Sequence, residues 1–380
     1  MKIYLIAILT LSASLFLLRH AAALESVFSG QLSGWTIENY SREEWNNTSG
    51  LRYIPQLNLL HSINEDSTLD AEVSIDALFS SDEDDKDNHY DIDFYRLWLR
   101  YAASQYEVRA GLQKISFGSA MLLRPLMWFD QLDPRDPLQL TDGVYGLLFR
   151  YYFLNNANIW LWGLYGNDDP KGWELIPSDP RRPELGGRLQ IPLFSGEMAL
   201  SYHHRKADLN EGLFGLIPLG DQSISENRIG LDGKWDIGVG IWFEGAFIHK
   251  DVDTPGYPYL TLVDVGMDYT FNLGNGLTTL MEYFVFNMSE HAFGSSEKNS
   301  LLALSLNYPM GMLDNLSGIV YYDREQSEWY RYVNWQRKYD QWAFNIIGFW
   351  NPDQFQLFQG AAEHTQFSGK GIQLLVVFNH

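Results

Sequence analysis

The stretch LDAEVSIDALF at positions 69–79 decides how the chain folds. Leu69, Ala71, Val73, Ile75, Ala77 and Phe79 occupy every second position, with Asp70, Glu72, Ser74 and Asp76 between them. Successive side chains of an extended strand point to opposite faces, so this segment has one apolar surface and one that belongs in water. The same alternation returns at Val263, Val265, Met267, Tyr269 and Phe271, interleaved with Asp264, Gly266, Asp268 and Thr270.

Working outward from 69–79 and 263–271, comparable strands read at 27–39, 50–60, 92–103, 105–113, 143–153, 157–165, 184–192, 196–205, 226–235, 239–249, 277–286, 299–308, 314–322, 328–336, 341–350 and 371–378. That makes eighteen, an even number, so both termini can share one side; sixteen is the alternative, because 314–322 and 328–336 alternate less cleanly. Connections after even strands are mostly short, as at 104, 154–156, 193–195, 236–238, 272–276 and 337–340. Those after odd strands are mostly long: 40–49, 80–91, 114–142, 166–183, 206–225, 250–262, 287–298 and 351–370, with 61–68 and 323–327 as exceptions on their respective sides. Short turns on one side and long loops on the other are the habit of a membrane barrel, which a soluble sandwich or propeller has no reason to keep. The expected fold is all-β: a transmembrane antiparallel up-and-down β-barrel with a long in-folded loop.

Composition agrees. The chain of 380 residues holds 22 Tyr, 22 Phe and 13 Trp but no cysteine, and its formal charge is −21. Without thiols, disulfide scaffolds, cysteine-ligated zinc, iron–sulfur clusters and thiol catalysis all drop out. The acidic balance argues against nucleic acid as a partner, since neutralising phosphate takes a basic surface. No run after residue 23 reaches the ~18 apolar residues of a membrane helix, whereas aromatic girdles suit a barrel. The opening Met1, Lys2, apolar 3–18 and Ala21, Ala22, Ala23 have the layout of a signal peptide, with cleavage expected after Ala23. Arg19 and His20 are unusual there, and a retained anchor is the alternative. The domain reading is therefore a leader at 1–23 and one barrel at 24–380, exported by a Sec-type route to the outer membrane of a Gram-negative bacterium.

Alternation also sorts the charges. Arg96, Arg100, Arg109, Arg150, Arg188, Arg205 and Arg228 fall on the inward face of strands four to ten and form a basic arc. Acids gather on the same face at Asp70, Glu72 and Asp76, then at Asp232, Glu244, Asp264, Asp268 and Glu282. Opposed basic and acidic walls carry a transverse field that orients polar solutes; the competing reading is that the charges pair and brace the lumen.

The segment 115–143 contains Arg124, Pro125, Trp128, Phe129, Asp130, Asp133, Pro134, Arg135, Asp136 and Pro137 beside the apolar Met121, Leu122, Leu123, Leu126 and Met127. Its prolines bar a regular strand or helix, and its apolar residues are poorly placed in water. It reads as a constriction loop in the lumen, with Asp130, Asp133 and Asp136 facing the arginines; a lid or an intersubunit latch is the alternative. The acidic run Asp82, Glu83, Asp84, Asp85 and Asp87 could bridge a divalent cation to lipopolysaccharide, although such runs are usually solvated loops. The last strand, apolar at Ile372, Leu374, Val376 and Phe378, has the form of the signal read by the barrel assembly machinery, except that Asn379 and His380 follow it.

At 109–118, Arg-Ala-Gly-Leu-Gln-Lys-Ile-Ser-Phe-Gly, followed by Asp-Pro-Arg-Asp-Pro at 133–137 and the strand at 143–152, the chain resembles Gram-negative porins of the alginate-export and phosphate-selective type. The resemblance covers about 45 residues, and it departs at Leu112, where a basic residue is usual. It implies an outer-membrane diffusion or substrate-selective channel with anionic preference. The function expected is passive passage of small polar, chiefly anionic, solutes, with no enzyme activity and no cofactor. The expected partners are outer-membrane lipid, lipopolysaccharide and the assembly machinery, with oligomers possible. The alternatives are a sleeve for a partner protein or polymer, and a barrel hydrolase. For the latter, one of His203 and His204 would enter the lumen, but no Gly-x-Ser-x-Gly motif supplies a nucleophile.

Overall fold

Pairing each alternating strand antiparallel with its sequence neighbours carries the apolar and polar faces around a ring until the first strand meets the last. The computed structural model describes residues 24–82, 88–174, 176–208, 223–251, 257–353 and 367–380. The leader read at 1–23 and the acids Glu83, Asp84, Asp85 and Asp87 lie outside the described residues.

The strands are β1 (Leu24–Ser41), β2 (Glu44–Asn64), β3 (Ser67–Asp82), β4 (His89–Ala103), β5 (Tyr106–Gln113), β6 (Val144–Tyr152), β7 (Asn158–Leu164), β8 (Glu184–Leu193) and β9 (Gly196–Asp208). They continue as β10 (Ser223–Asp236), β11 (Gly240–Lys250), β12 (Tyr259–Phe271), β13 (Leu277–Ser289), β14 (Glu297–Pro309), β15 (Asp314–Asp323), β16 (Glu328–Lys338), β17 (Trp342–Trp350) and β18 (Lys370–Asn379). All eighteen form one closed sheet in sequence order, β1 pairing with both β2 and β18. The weakly alternating β15 and β16 are full members, paired from Asp314↔Arg337 to Asp323↔Glu328, so the count is eighteen rather than sixteen.

Side-chain alternation survives in three dimensions. On β12, Val263, Val265, Met267 and Tyr269 are exposed on the outer face, while Asp264 between them is buried. On β3, Val73 and Ile75 point out and Ser74 is buried. The result is an apolar outside and a charged inside, the reverse of a water-soluble protein.

Connections at one end are all short: 65–66, 104–105, 153–157, 194–195, 237–239, 272–276, 310–313 and 339–341. Two expected boundaries change. The expected loop at 40–49 shrinks to Arg42 and Glu43, and the expected turn at 61–68 shrinks to Glu65 and Asp66. Arg42 and Glu43 both have positive φ, 52° and 68°, as a two-residue hairpin turn of right-handed strand twist requires. The polar residues after it stay in the strand because their side chains bond across the hairpin: Ser49 Oγ donates to Thr36 Oγ1 at 2.9 Å and Asn47 Nδ2 to Glu38 Oε1 at 3.2 Å.

The seam between β1 and β18 runs from Gln31↔Asn379 to Tyr40↔Lys370. Gly30 and His380 exchange both main-chain hydrogen bonds at 3.0 Å, and the His380 ring lies over Gly30, where a Cβ would be 2.5 Å from Nε2. That ring stacks on Tyr53 and Phe378, so the two residues that follow Phe378 extend the terminal aromatic cluster.

Candidate functional site

The interior is organised by the segment 114–143 between β5 and β6. After Gln113 the chain turns inward, helped by Gly118 at φ +105°, a conformation L side chains rarely adopt. The main-chain N–H groups of Ser119, Ala120 and Leu126 donate to the Glu244 carboxylate on β11 at 2.7, 2.9 and 2.6 Å. Those of Met121, Leu122 and Leu123 donate to Glu282 on β13 at 2.7, 2.9 and 2.7 Å. Two wall carboxylates thus satisfy six loop amides that an irregular segment would otherwise bury unpaired.

The segment then crosses the lumen. Arg135 donates to Tyr332 Oη on β16 at 2.9 Å, Leu138 packs against the cluster of Ala343, Leu375 and Val377, and Arg96 on β4 donates to the Thr141 carbonyl at 2.8 Å. Its apolar residues Leu123, Leu126, Trp128 and Phe129 join one core with wall residues Leu148, Trp162, Leu262 and Phe284. The excess of apolar side chains in a proline-broken segment is therefore absorbed inside the barrel.

The acids of this segment do not face the arginine arc. Asp130 is paired with Arg124 at 3.1 Å, and Asp133 accepts from Arg135 Nε at 2.7 Å, both within the segment. Asp136 accepts from the main chain of Leu138 and Leu140, at 2.9 and 3.2 Å. Short-range partners within the loop outcompete arginines across the lumen because they need no further chain ordering. Burial pushes the Asp136 carboxyl above its ordinary value despite these two donors. Lys114, at the start of the segment, is lowered, chiefly by burial.

The arginine arc divides in two. Arg188, Arg205 and Arg228 are buried, and each is bonded to a carboxylate. Arg188 grips Asp232 with two bonds of 2.6 and 2.8 Å. Arg205 and Arg228 both bond Glu226 at 2.7 Å, and Glu174 bridges the same two guanidinium groups. These arginines brace the wall rather than line open space.

The other group, on β4 to β6, is less neutralised. Arg100 is held by Asp70 and Glu107, and Arg150 by Glu107 at 2.9 Å with its guanidinium over the Trp160 ring at 3.8 Å. Arg96 is engaged by the carbonyls of Tyr95 and Thr141. Arg109 lies over the Trp98 ring at 4.7 Å, and among the described residues no carboxylate pairs with it and its Nε has no acceptor. On the far side of the ring, on β14 to β17, the wall is neutral and amide-rich: Asn315 Nδ2 bonds Asn307 Oδ1 at 2.7 Å and Gln336 Nε2 bonds Asn345 Oδ1 at 3.0 Å.

The acids expected on the opposite wall lie on β10 to β13. Glu244, Asp264 and Glu282 are completely buried, and Asp268, two inward positions beyond Asp264 on β12, is partly exposed. Glu244 and Glu282 hold the loop, which is a different use of those acids from setting up an open transverse field. Among the described residues no group of three or more His, Asp or Glu is placed to hold a metal ion.

Sequence reasoning missed the contribution of 165–183. Trp173 stacks on Phe284 at 4.8 Å and its Nε1 donates to the Arg124 carbonyl at 2.9 Å, so this loop pins the first one. Asp179 ties it to β9, its N–H donating to the Lys206 carbonyl at 2.7 Å. Against a burial that raises it, the Arg181 side chain and main chain and the charges of Arg181 and Arg182 hold the Asp179 carboxyl below its ordinary value. The available signal was a tryptophan followed by an acid in a long loop beside buried arginines. His203 is the inward histidine. Its Nδ1 accepts from Trp162 Nε1 and its Nε2 bonds Glu184, each at 3.1 Å, leaving neither ring nitrogen for a nucleophile.

No protein-family model matches the chain, and no curated protein matches it. Solved structures do. The barrel aligns with OccK2 of Pseudomonas aeruginosa at a TM-score of 0.60 and 11% identity, over 94% of this chain and 97% of that one. OccAB4 of Acinetobacter baumannii aligns at 0.56 and 10% identity, over 94% and 98%. An anion-selective porin from Comamonas acidovorans aligns at 0.50 and 9% identity, over 94% and 100%. The likeness is one of fold: this chain has the barrel architecture of Gram-negative outer-membrane porins.

Proposed function

We propose that the chain is an outer-membrane channel for passive diffusion of small polar solutes, with a preference for anions. The outer belt of exposed Val, Ile, Leu, Met and aromatic side chains is at ease only in lipid, and the inner face carries the charged side chains. The observation that carries the anionic preference is Arg109. A guanidinium on the inner wall, stacked on Trp98 and without a carboxylate partner, leaves its counter-charge to a solute. Arg100 and Arg150 flank it, and Glu107 and Asp70 offset two of the three positive charges. One barrel of the same fold is itself described as an anion-selective porin, which agrees with this reading. The likeness of 109–118 and 133–137 to alginate-export and phosphate-selective porins supports the same class of solute.

The test is the zero-current potential of the refolded chain in a potassium chloride gradient. The sign should report anion preference, and Arg109→Gln should move the potential toward that of an unselective pore. A cation-selective potential, or one unmoved by Arg109→Gln, would refute the assignment.

A further inference from the structure

Arg331, Trp350 and Lys370 stand in one row across three adjacent strands. Arg331 of β16 is the register partner of Trp350 of β17, and Trp350 is that of Lys370 of β18. Alternation turns the row away from the lumen: the flanking Tyr330, Tyr332 and Phe349 are buried inside the barrel, whereas Arg331, Trp350 and Lys370 are exposed. The row lies at the long-loop end of the wall, where β17 finishes at Trp350 and β18 begins at Lys370.

A cation on the outer face of a membrane barrel needs a counter-charge from the protein or from a lipid headgroup. Among the described residues, no carboxylate lies within ion-pairing distance of Arg331 or Lys370. Arg331 is positioned instead by an aromatic pair: its guanidinium lies 5.6 Å from the Trp329 ring, which packs on Tyr322 at 4.6 Å. Trp350 leans over Gly348, where an added Cβ would be 3.3 Å from its ring, so the indole lies along the wall. On the adjoining β1 the outward acid Glu38 is in register with Ile372, not Lys370, and accepts from Asn47 at 3.2 Å.

Towards the middle of the barrel the same face turns apolar at Val333, Ile346, Ile372 and Leu374, all exposed. Cations and aromatics at the rim above an apolar wall are the complement of an anionic amphiphile, headgroup above acyl chains. Neighbouring strands are about 4.8 Å apart, so the two cations start roughly 10 Å from one another. With an indole between them they suit two phosphates held apart by a ring better than one compact phosphate.

We propose that this row binds a glycolipid of the outer leaflet with a phosphate at each end of its sugar headgroup, the chemistry of lipopolysaccharide's membrane anchor. Arg331 and Lys370 each take one phosphate, Arg331 through its planar fork of donors. The apolar C–H face of the sugar rests on Trp350, and the acyl chains run down over Val333, Ile346 and Ile372. The site is on the outer wall and does not depend on what the lumen passes.

Native mass spectrometry of the full chain in detergent and EDTA reads this binding without bridging metal ions. The probes are bisphosphorylated lipid A, its monophosphorylated form and phosphatidylglycerol, offered in equal amounts. The wild type should retain the bisphosphorylated lipid in preference to the other two. Arg331→Gln with Lys370→Gln should weaken that retention by roughly tenfold or more, each cation near a headgroup contributing a severalfold share. Lys298→Gln removes an exposed cation at the same end of β14 and should change nothing. Undiminished retention in the double variant overturns the proposal, and so does an equal loss in Lys298→Gln, which would signal surface charge alone. If the double variant does not fold, the wild type decides: equal retention of the three lipids, or a preference for phosphatidylglycerol, overturns it.

Discussion

The carboxylate of Glu282 on β13 accepts the main-chain N–H of Leu123 at 2.7 Å across 159 positions of sequence. That contact, with its neighbours at Met121 and Leu122, fixes where the lumen-crossing segment lies. Glu282→Gln keeps the shape and removes the charge, and bonds to a charged acceptor are worth roughly twice neutral ones. We expect docking to weaken by about 2 kcal/mol, read as faster proteolysis within 116–130 while strand content by circular dichroism is unchanged. Proteolysis at the wild-type rate would contradict the anchoring role.

Gly118→Ala should give the same phenotype by a steric route. Its φ of +105° disfavours alanine, and the new Cβ would stand 2.3 Å from Glu244 Oε2. Gly311→Ala, where nothing lies within 4 Å of the added carbon, is the matched control and should behave as wild type. Equal protease sensitivity of the two variants would argue against a close approach at Gly118.

Arg188 and Asp232 should be structural and not selective. Both side chains are nearly inaccessible and joined by two short bonds, so removing either one strands a buried charge at a cost of about 3–5 kcal/mol. A double-mutant cycle of Arg188→Met and Asp232→Leu on detergent-resistant thermal unfolding should show strong coupling, with the double variant more stable than either single one. Additive losses would mean that the two do not act as a pair.

Attachment of 165–183 should be acid-labile. The Asp179 carboxyl is held below its unfolded value, so its contribution is fully present above the unfolded value of about 3.9 and disappears as pH falls through the lower folded one. Amide protection at 178–182 should therefore drop in acid in the wild type, and Asp179→Asn should start lower and show a flatter profile. A wild-type profile without that drop would remove Asp179 from the tether.

How far the sequence disclosed this architecture depended on the physical origin of each feature. Strands such as 69–79 and 263–271 were legible because lipid and water impose a period of two that no local detail can mimic. The hairpin at Arg42 and Glu43 was not, since Asn46, Asn47, Thr48 and Ser49 lack that period, and Asn47 and Ser49 hold the strand through side-chain bonds to Glu38 and Thr36 instead. The inward course of 114–143 could be anticipated from its stranded apolar residues. Its anchors could not: Glu244 and Glu282 read as two more lumenal acids, and what distinguishes them is the three loop amides that each accepts. Likewise, alternation put Arg109 and Arg205 on the same inner face, but pairing with Glu226 and Glu174 is a matter of three-dimensional neighbours that sequence spacing does not encode.

Single-channel recording in a planar bilayer, comparing the full chain with a variant lacking residues 121–137, tests the account most directly. A channel narrowed by that segment predicts discrete anion-preferring conductance in the full chain and a sharply larger one in the deletion variant. Silence from both proteins, or a purified chain that stays soluble without detergent, would contradict it.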